Sequence, residues 1–246
     1  DVKNATSVIF DGPHPAGNVG VQIGKISPIN AGERVWTVTP QDVATIGELF
    51  LTGKFNATRT VALVGSEVKD AQYYNVISGA AIADLVAGKI EGDNVRVISG
   101  DVLTGTKVKM DGNLGFLSNT VTVIPEGNVY RMFGWMPFAS PSVHSASRTG
   151  LSWLMPGKKY APNTNLNGEE RALVVTGEME AVMPLDMFPM QLLKACFASD
   201  IDKMESLGIY EVAPEDFALI DYTNTSKLEA QQIIREALDL MIKEVG

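Results

Sequence analysis

The chain has 246 residues, of which 45% are apolar, and its 20 basic and 29 acidic side chains give a formal net charge of −9. This composition is ordinary for a soluble globular protein, and the acidic balance argues against a protein that wraps nucleic acid. No apolar run approaches the roughly 20 residues of a membrane helix. One cysteine and two histidines argue against an internal disulfide framework, an iron–sulfur cluster held by this chain alone and a His-rich zinc site.

The first part of the chain, residues 1–92, alternates predicted strands with predicted helices and indicates an α/β domain. Ser7 to Phe10 is predicted to be a short strand. A helix should begin after Thr39, a good capping residue followed by proline, and end at Gly53. Val61 to Gly65 predicts a buried strand, and Ser78 to Ala87 a second helix.

Residues 93–126 indicate a small, mostly β module. Val95 to Gly100 is predicted to be a strand, several glycines follow at short intervals, and Asn119 to Ile124 alternates polar and apolar side chains. At the other end of the chain, residues 186–246 predict a helical domain. Ser226 to Glu229 there has the pattern of a capping box before the last helix.

The connector between these parts, residues 127–185, contains a stretch of unusual composition. Residues 127–168 include no acidic side chain, four basic ones and several aromatic residues, methionines and prolines. Such a surface suits contact with a partner protein or an anionic membrane face. The alternative is that the tryptophans fill the core. If the stretch is a docking surface, the residues that should carry it are Trp135, Arg148, Trp153, Lys158 and Lys159.

The most unusual local sequence is the loop from Gly12 to Gly17, which also contains Pro13 and His14. Its backbone amides and its histidine could surround a ligand or a phosphate. It matches neither a Walker loop nor a dinucleotide fingerprint. The simpler interpretation, a tight loop that needs proline and glycine for its backbone geometry, is favoured. Cys196 shares an apolar helix face with two leucines and is expected to be a buried, inert thiol.

Taken together, several segments resemble the A subunits (NqrA) of the Na+-translocating NADH:quinone reductases. The resemblance runs from near residue 8 to the C-terminus, and its segments occur in the family's order. They are Phe10-Asp11-Gly12-Pro13-His14-Pro15-Ala16-Gly17, Val35-Trp36 with Gln41-Asp42-Val43, Val95-Arg96-Val97-Ile98-Ser99-Gly100, Phe133-Gly134-Trp135, Val182-Met183-Pro184-Leu185-Asp186 and Asp216-Phe217-Ala218-Leu219.

This resemblance implies an α+β fold that covers the C-terminal two-thirds of the family's protein or less. Its parts would be an N-terminally truncated α/β domain like the NADH-binding subunit of complex I (1–92), a β-grasp module of the soluble-ligand-binding (SLBB) type (93–126), the connector (127–185) and a C-terminal helical domain (186–246). Relatives such as RnfC bind flavin or iron–sulfur clusters. This sequence has neither the glycines nor the cysteines for them, so neither cofactor is expected, and quinone is the ligand that the family suggests.

The implied role is that of a peripheral subunit on the cytoplasmic face of the bacterial inner membrane, docked on membrane-embedded partners of a sodium-pumping NADH:quinone oxidoreductase. No activity is expected from this piece alone. Gly12, Pro13, His14 and Gly17 would line a vestigial cofactor cleft. Two alternatives stay open: a β-grasp module that holds a small soluble ligand, and a flavin oxidoreductase.

Overall fold

The computed structural model describes residues 4–128, 143–146, 148 and 150–245. The chain divides into two compact units, one formed by the residues up to Thr37 and from Glu169 onward, the other by Val38–Gly168. A five-stranded mixed sheet and a set of C-terminal helices agree with the predicted α+β class. The likeness of the N-terminal part to the NADH-binding subunit of complex I stays a prediction.

The Val38–Gly168 unit is built on the sheet, whose strands lie in the order β2-β1-β5-β3-β4. Strand β1 runs parallel to β5, and every other neighbouring pair is antiparallel. A parallel central pair flanked by antiparallel strands leaves β2 and β4 at the two edges. The strands are β1 (Thr58–Val64), β2 (Gln72–Ile77), β3 (Val95–Ser99), β4 (Thr106–Val108) and β5 (Thr120–Pro125).

One face of this sheet forms a core with the short helix α3 (Ile82–Val86). Residues at alternate positions of a strand share one face, so Val61 and Leu63 of β1 are both fully buried. Residues from β3 and β5, from α3 and from the segment after β4 complete the cluster: Ile82, Leu85, Val86, Val97, Leu114, Val121 and Val123.

Helix α2 (Pro40–Thr52) precedes β1 and has the predicted ends. Thr39 Oγ1 accepts a hydrogen bond from Asp42 N, and Gly53 ends the helix in the left-handed conformation. No residue of α2 is buried. Its polar first turn attaches it to the sheet, because Gln41 bonds the backbone of Thr60 and Asp42 pairs with Arg59.

The other unit contains a helical core in its C-terminal part. Helix α7 (Ala230–Glu244) packs against α4 (Pro189–Phe197) and α6 (Ala218–Thr223), and α5 (Ile201–Ser206) packs against α4. Helix α1 (Val19–Ile26) contacts the 3-10 turn Pro214–Phe217 that precedes α6. The side chains at the centre of this core are fully buried: Leu192, Leu193, Met204, Ile209, Phe217, Ile220 and Ile234.

Three local predictions were wrong. Residues 7–10 form no strand and are mostly exposed. The second helix is shorter than predicted, because Ala80 is taken up in a turn with Ile77 and its carbonyl accepts from Leu114. Ser226 does not cap α7: the helix begins at Ala230, and the carboxylate of Asp221 accepts the backbone N–H groups of Ala230 and Gln231 instead.

The predicted division into domains at 1–92, 93–126, 127–185 and 186–246 stays a prediction. The structure adds that one sheet contains strands from both sides of residue 92. Strands β1 and β2 precede this residue, and β3 to β5 follow it. In the described part of the chain, none of the helices combines the length and the apolar character needed to cross a membrane.

Candidate functional site

The Gly12–Gly17 loop lies at the protein surface. Gly12 has φ +142°, a backbone conformation that glycine adopts readily and other residues rarely adopt. The His14–Pro15 peptide bond is cis. Two turns shape the loop, with Ala16 N donating to Pro13 O and Asn18 N to Pro15 O. Gly12, Pro13, His14 and Gly17 are all exposed. The structure therefore brings these four residues together on one loop, and their role in a cleft stays a prediction.

Helix α1 follows the loop and packs against the buried carboxylate of Asp216, for which the sequence predicted no functional role. Asp216 is 3% exposed, and its Oδ2 accepts from Ala213 N at 2.9 Å. Oδ1 of the same carboxylate is buried without a hydrogen bond among the described residues. Burial raises the pKa of Asp216, and the backbone bond from Ala213 opposes that shift.

Gly20 of α1 makes this close packing possible. A Cβ atom at position 20 would lie 2.6 Å from Oδ1 and 2.7 Å from Cγ of Asp216. Asn18, just before α1, donates from its side chain to Glu215 O at 3.3 Å. These contacts fix the start of α1 to the turn that precedes α6. A glycine inside a helix can indicate such a close contact, but the sequence did not predict the helix Val19–Ile26.

An open apolar groove of about 440 Å³ lies beside the C-terminal end of α1. Isoleucine and valine side chains form most of its wall, and Glu33 and Arg34 add charge at one side. The residues that line it are Ile23, Ile26, Ser27, Ile29, Glu33, Arg34 and Val35. Its volume lies within the range of small-molecule sites, but the groove is open to solvent and would leave part of a ligand exposed.

The structure places the described residues of the predicted docking surface at the exterior. Arg148, Lys158 and Lys159 are exposed, and Trp153 is 52% exposed. Trp153 therefore does not fill the core, whereas Trp135 lies outside the described residues. Lys158 Nζ lies 5.3 Å from the centre of the Tyr160 ring, a cation–π contact.

The half-buried carboxylate of Glu126 joins the two ends of the acid-free stretch to the sheet. Gly127 N donates to Thr164 Oγ1 at 2.6 Å, and Thr164 Oγ1 donates to Glu126 at 2.9 Å. Arg96 and Lys107 of the sheet also pair with Glu126. Hydrogen bonds from Arg96 and then from Lys107 and Thr164 lower the pKa of Glu126 to about 2. The stretch thus leaves the sheet and returns to it at one anchored point.

Cys196 is buried, as predicted. Burial raises the pKa of its thiol to about 11, which favours the protonated form at neutral pH, and the inertness of the thiol stays a prediction. Within the described ranges, no three His, Cys, Asp or Glu side chains are grouped so that they could hold a metal ion.

Fold and surface together define an α+β protein with an exposed basic and aromatic surface and an open apolar groove. Comparisons with known proteins give the family. A model described as the NqrA second alpha/beta domain matches residues 1–55, and one described as the NQRA C-terminal domain (SLBB) matches residues 60–110.

Curated relatives that are A subunits of Na(+)-translocating NADH-quinone reductases match nearly the whole chain. The protein of Neisseria meningitidis serogroup B is 39% identical over 236 residues, which cover 96% of this chain and 53% of the relative. Those of Hahella chejuensis and Vibrio campbellii are 39% and 38% identical over 245 residues, 98% of this chain and 54% of each relative. The chain therefore belongs to the NqrA family, as the resemblance predicted, and it spans about half the length of these relatives.

Proposed function

We propose that this chain is part of a peripheral NqrA-type component of a sodium-pumping NADH:quinone oxidoreductase, in which it has a structural and docking role. The observation that supports the proposal best is the exposure of Arg148, Trp153, Lys158 and Lys159 on a stretch without acidic residues. Tryptophan and arginine are enriched at protein–protein interfaces, and the two lysines add positive charge that can attract an acidic partner surface. The chain by itself is expected to catalyse no reaction.

Charge supports this assignment of the docking surface. Residues 127–168 carry four basic and no acidic side chains, whereas residues 186–246 carry 12 acidic and 5 basic ones, a balance of 5 − 12 = −7. A stretch with only positive charges favours contact with a negatively charged partner surface. The expected partner is a membrane-embedded subunit of the same complex, at the cytoplasmic face of the bacterial inner membrane, where anionic lipids favour basic side chains.

The test is charge reversal in full-length NqrA within its reductase complex. The variant carries Arg148→Glu, Lys158→Glu and Lys159→Glu, and the readout is the amount of NqrA that co-purifies with the membrane-embedded subunits. We expect at least a tenfold loss of co-purification, because repulsion replaces attraction at the contact.

A matched control reverses one exposed arginine and two exposed lysines elsewhere, Lys54, Lys109 and Arg171. The control has the same change in net charge and should assemble like the wild type. Equal assembly of the two triple variants and the wild type would show that residues 148–159 are not the docking surface.

Quinone contact is the finer part of the proposal, and the groove beside α1 supports it. An apolar wall of isoleucines suits the ring and first isoprenoid carbons of a quinone, and Arg34 could donate a hydrogen bond to a quinone carbonyl oxygen. Quinone lacks charge, so burial in such a groove costs little desolvation. The β-grasp ligand-binding alternative and the distant relation to RnfC and complex I stay predictions.

A thermal-shift titration with a short-chain, water-soluble ubiquinone tests the groove. Ligand binding to the folded state raises the melting temperature by mass action. We expect a rise for the wild type and none for Ile26→Glu, which places a carboxylate in the groove. Ile242→Glu, at an exposed isoleucine of α7, is the control. A rise that survives Ile26→Glu unchanged would place the ligand elsewhere.

A further inference from the structure

Strand β2 forms one edge of the sheet. Its pairing with β1 shows which of its backbone N–H and C=O groups point outward, away from β1. Thr60 N and O bond the Gln41 side chain, and Ala62 N donates to Asn119 O. Both residues therefore point toward the β5 side of β1. Since neighbouring residues of a strand point their backbone groups to opposite sides, Val61 and its neighbours at odd positions face β2.

The pairing register then identifies the free groups of β2. Val61 pairs with Tyr74, so even-numbered residues of β2 face β1 and odd-numbered ones face outward. Ser78 N donates to Ala57 O, which agrees with this assignment, and Ile77 O accepts from Ala80 N. Among the described residues, the N–H and C=O groups of Tyr73 and Asn75 and the N–H of Ile77 have no hydrogen-bond partner.

The two edges of the sheet differ in how they are protected against pairing with another strand. Strand β4 is three residues long and carries Lys107 at its centre. Strand β2 is six residues long, and its sequence, Gln-Tyr-Tyr-Asn-Val-Ile, has neither charge nor proline. Short length, lysine and proline are the usual devices that prevent edge-to-edge association. Strand β2 has none of them.

The exposed side chains of β2 complement those of a second β2 strand. Tyr73 is 77% and Ile77 68% exposed, and both lie on the face opposite the core, with the exposed Asn75 between them. If two copies of β2 pair antiparallel about Asn75, each Tyr73 lies opposite the other copy's Ile77. Aromatic and β-branched residues form favourable cross-strand pairs, and no like charges meet.

We propose that two copies of this chain associate through β2, with a two-fold axis at Asn75 that joins the two sheets into one. The two Asn75 residues exchange backbone hydrogen bonds across the axis. On either side of the axis, Tyr73 of one copy and Ile77 of the other exchange backbone hydrogen bonds. Ile77 O, which already accepts from Ala80 N, accepts this second bond with its other lone pair. One strand pair buries a small area, so the dimer is weak and in rapid exchange. The proposal is independent of the role of the chain in the reductase.

The experiment places charges at positions 73 and 77, which face each other only in the proposed register. In Tyr73→Lys/Ile77→Lys, lysines face lysines across the axis; in Tyr73→Glu/Ile77→Glu, glutamates face glutamates. Each variant alone should be monomeric, and a mixture of the two should form a heterodimer. Tyr73→Lys/Ile77→Glu should dimerise alone, since each lysine then faces the partner's glutamate. Sedimentation velocity measures mass over a concentration series up to about 500 µM, a range suited to a weak interface.

The wild type should show a concentration-dependent monomer–dimer equilibrium that the two like-charged variants weaken at least tenfold. Phe50→Lys/Leu51→Lys, on the exposed surface of α2, is the control and should dimerise like the wild type. Far-UV circular dichroism verifies that every variant is folded. The proposal is overturned by a wild type that stays monomeric throughout, by a control that abolishes the dimer, or by like-charged variants that do not form a heterodimer when mixed.

Discussion

At the scale of single residues, the contact between Gly20 and Asp216 determines how α1 meets the C-terminal helices. Gly20→Ala would force Cβ against a carboxylate that is 3% exposed and held by Ala213 N. We expect a loss of roughly 1–3 kcal/mol in the free energy of unfolding, the usual cost of overpacking. Urea denaturation measures it. Gly17→Ala is the control, because nothing lies within 4 Å of the added methyl group, and equal losses for both variants would contradict the account.

Glu126 provides a prediction with a defined pH dependence. Its pKa falls from 4.5 to about 2 on folding, so the carboxylate stabilises the folded state above pH 4.5 and this contribution is lost as the pH falls through about 2. Glu126→Gln should lower the free energy of unfolding by roughly 1–3 kcal/mol at pH 7, a typical value for charged hydrogen bonds.

The difference between wild type and Glu126→Gln should shrink as the pH approaches 2. Chemical denaturation at a series of pH values gives this difference directly. Glu91→Gln, at an exposed carboxylate, should show a small effect throughout. A difference for Glu126→Gln that is the same at acid and neutral pH would show that its charge does not hold Thr164 and the sheet together.

At the scale of elements, the N-terminus of α7 is capped by a residue that lies outside the helix, Asp221. Asp221 accepts from the first backbone N–H groups of the helix and from Gln231 Nε2 at 2.7 Å. Asp221→Ala should cost about 1–2 kcal/mol, the range for a lost N-terminal cap. Ser226→Ala, at the residue predicted to cap from sequence, should cost less than about 0.5 kcal/mol, as for most surface changes. Thermal unfolding of both variants measures the two losses of stability. A larger loss for Ser226→Ala than for Asp221→Ala would show that Ser226 caps the helix.

The ends of α2 and α7 show what the sequence could predict. Thr39, Pro40 and Gly53 act on the helix that contains or adjoins them, so a local pattern was sufficient. Asp221 lies nine positions before Ala230, and a tertiary turn brings its carboxylate to the helix. The same reason applies to β1: its pairing with β5, which lies beyond residue 92, depends on a contact distant in sequence that periodicity does not reveal.

At the scale of the whole molecule, the family and the exterior position of the basic residues could be predicted from the sequence, whereas the groove and the buried Asp216 could not. The composition of a single segment is enough to predict a basic, aromatic surface, because charge and aromatic content can be counted without knowing the fold. A groove depends on how Ile23, Ile26 and Val35 approach one another after folding. Burial of Asp216 likewise depends on Gly20, which is distant in the chain.

The docking role of the acid-free stretch is the central claim, and cross-linking mass spectrometry on the assembled reductase tests it most directly. An amine-reactive cross-linker modifies exposed lysines, including Lys158, Lys159 and the control Lys109, which lies outside the acid-free stretch. The account predicts that Lys158 and Lys159 are linked to other proteins of the complex, whereas Lys109 is linked only within NqrA. Links from Lys109 to those other proteins, with Lys158 and Lys159 linked only within their own chain, would contradict it.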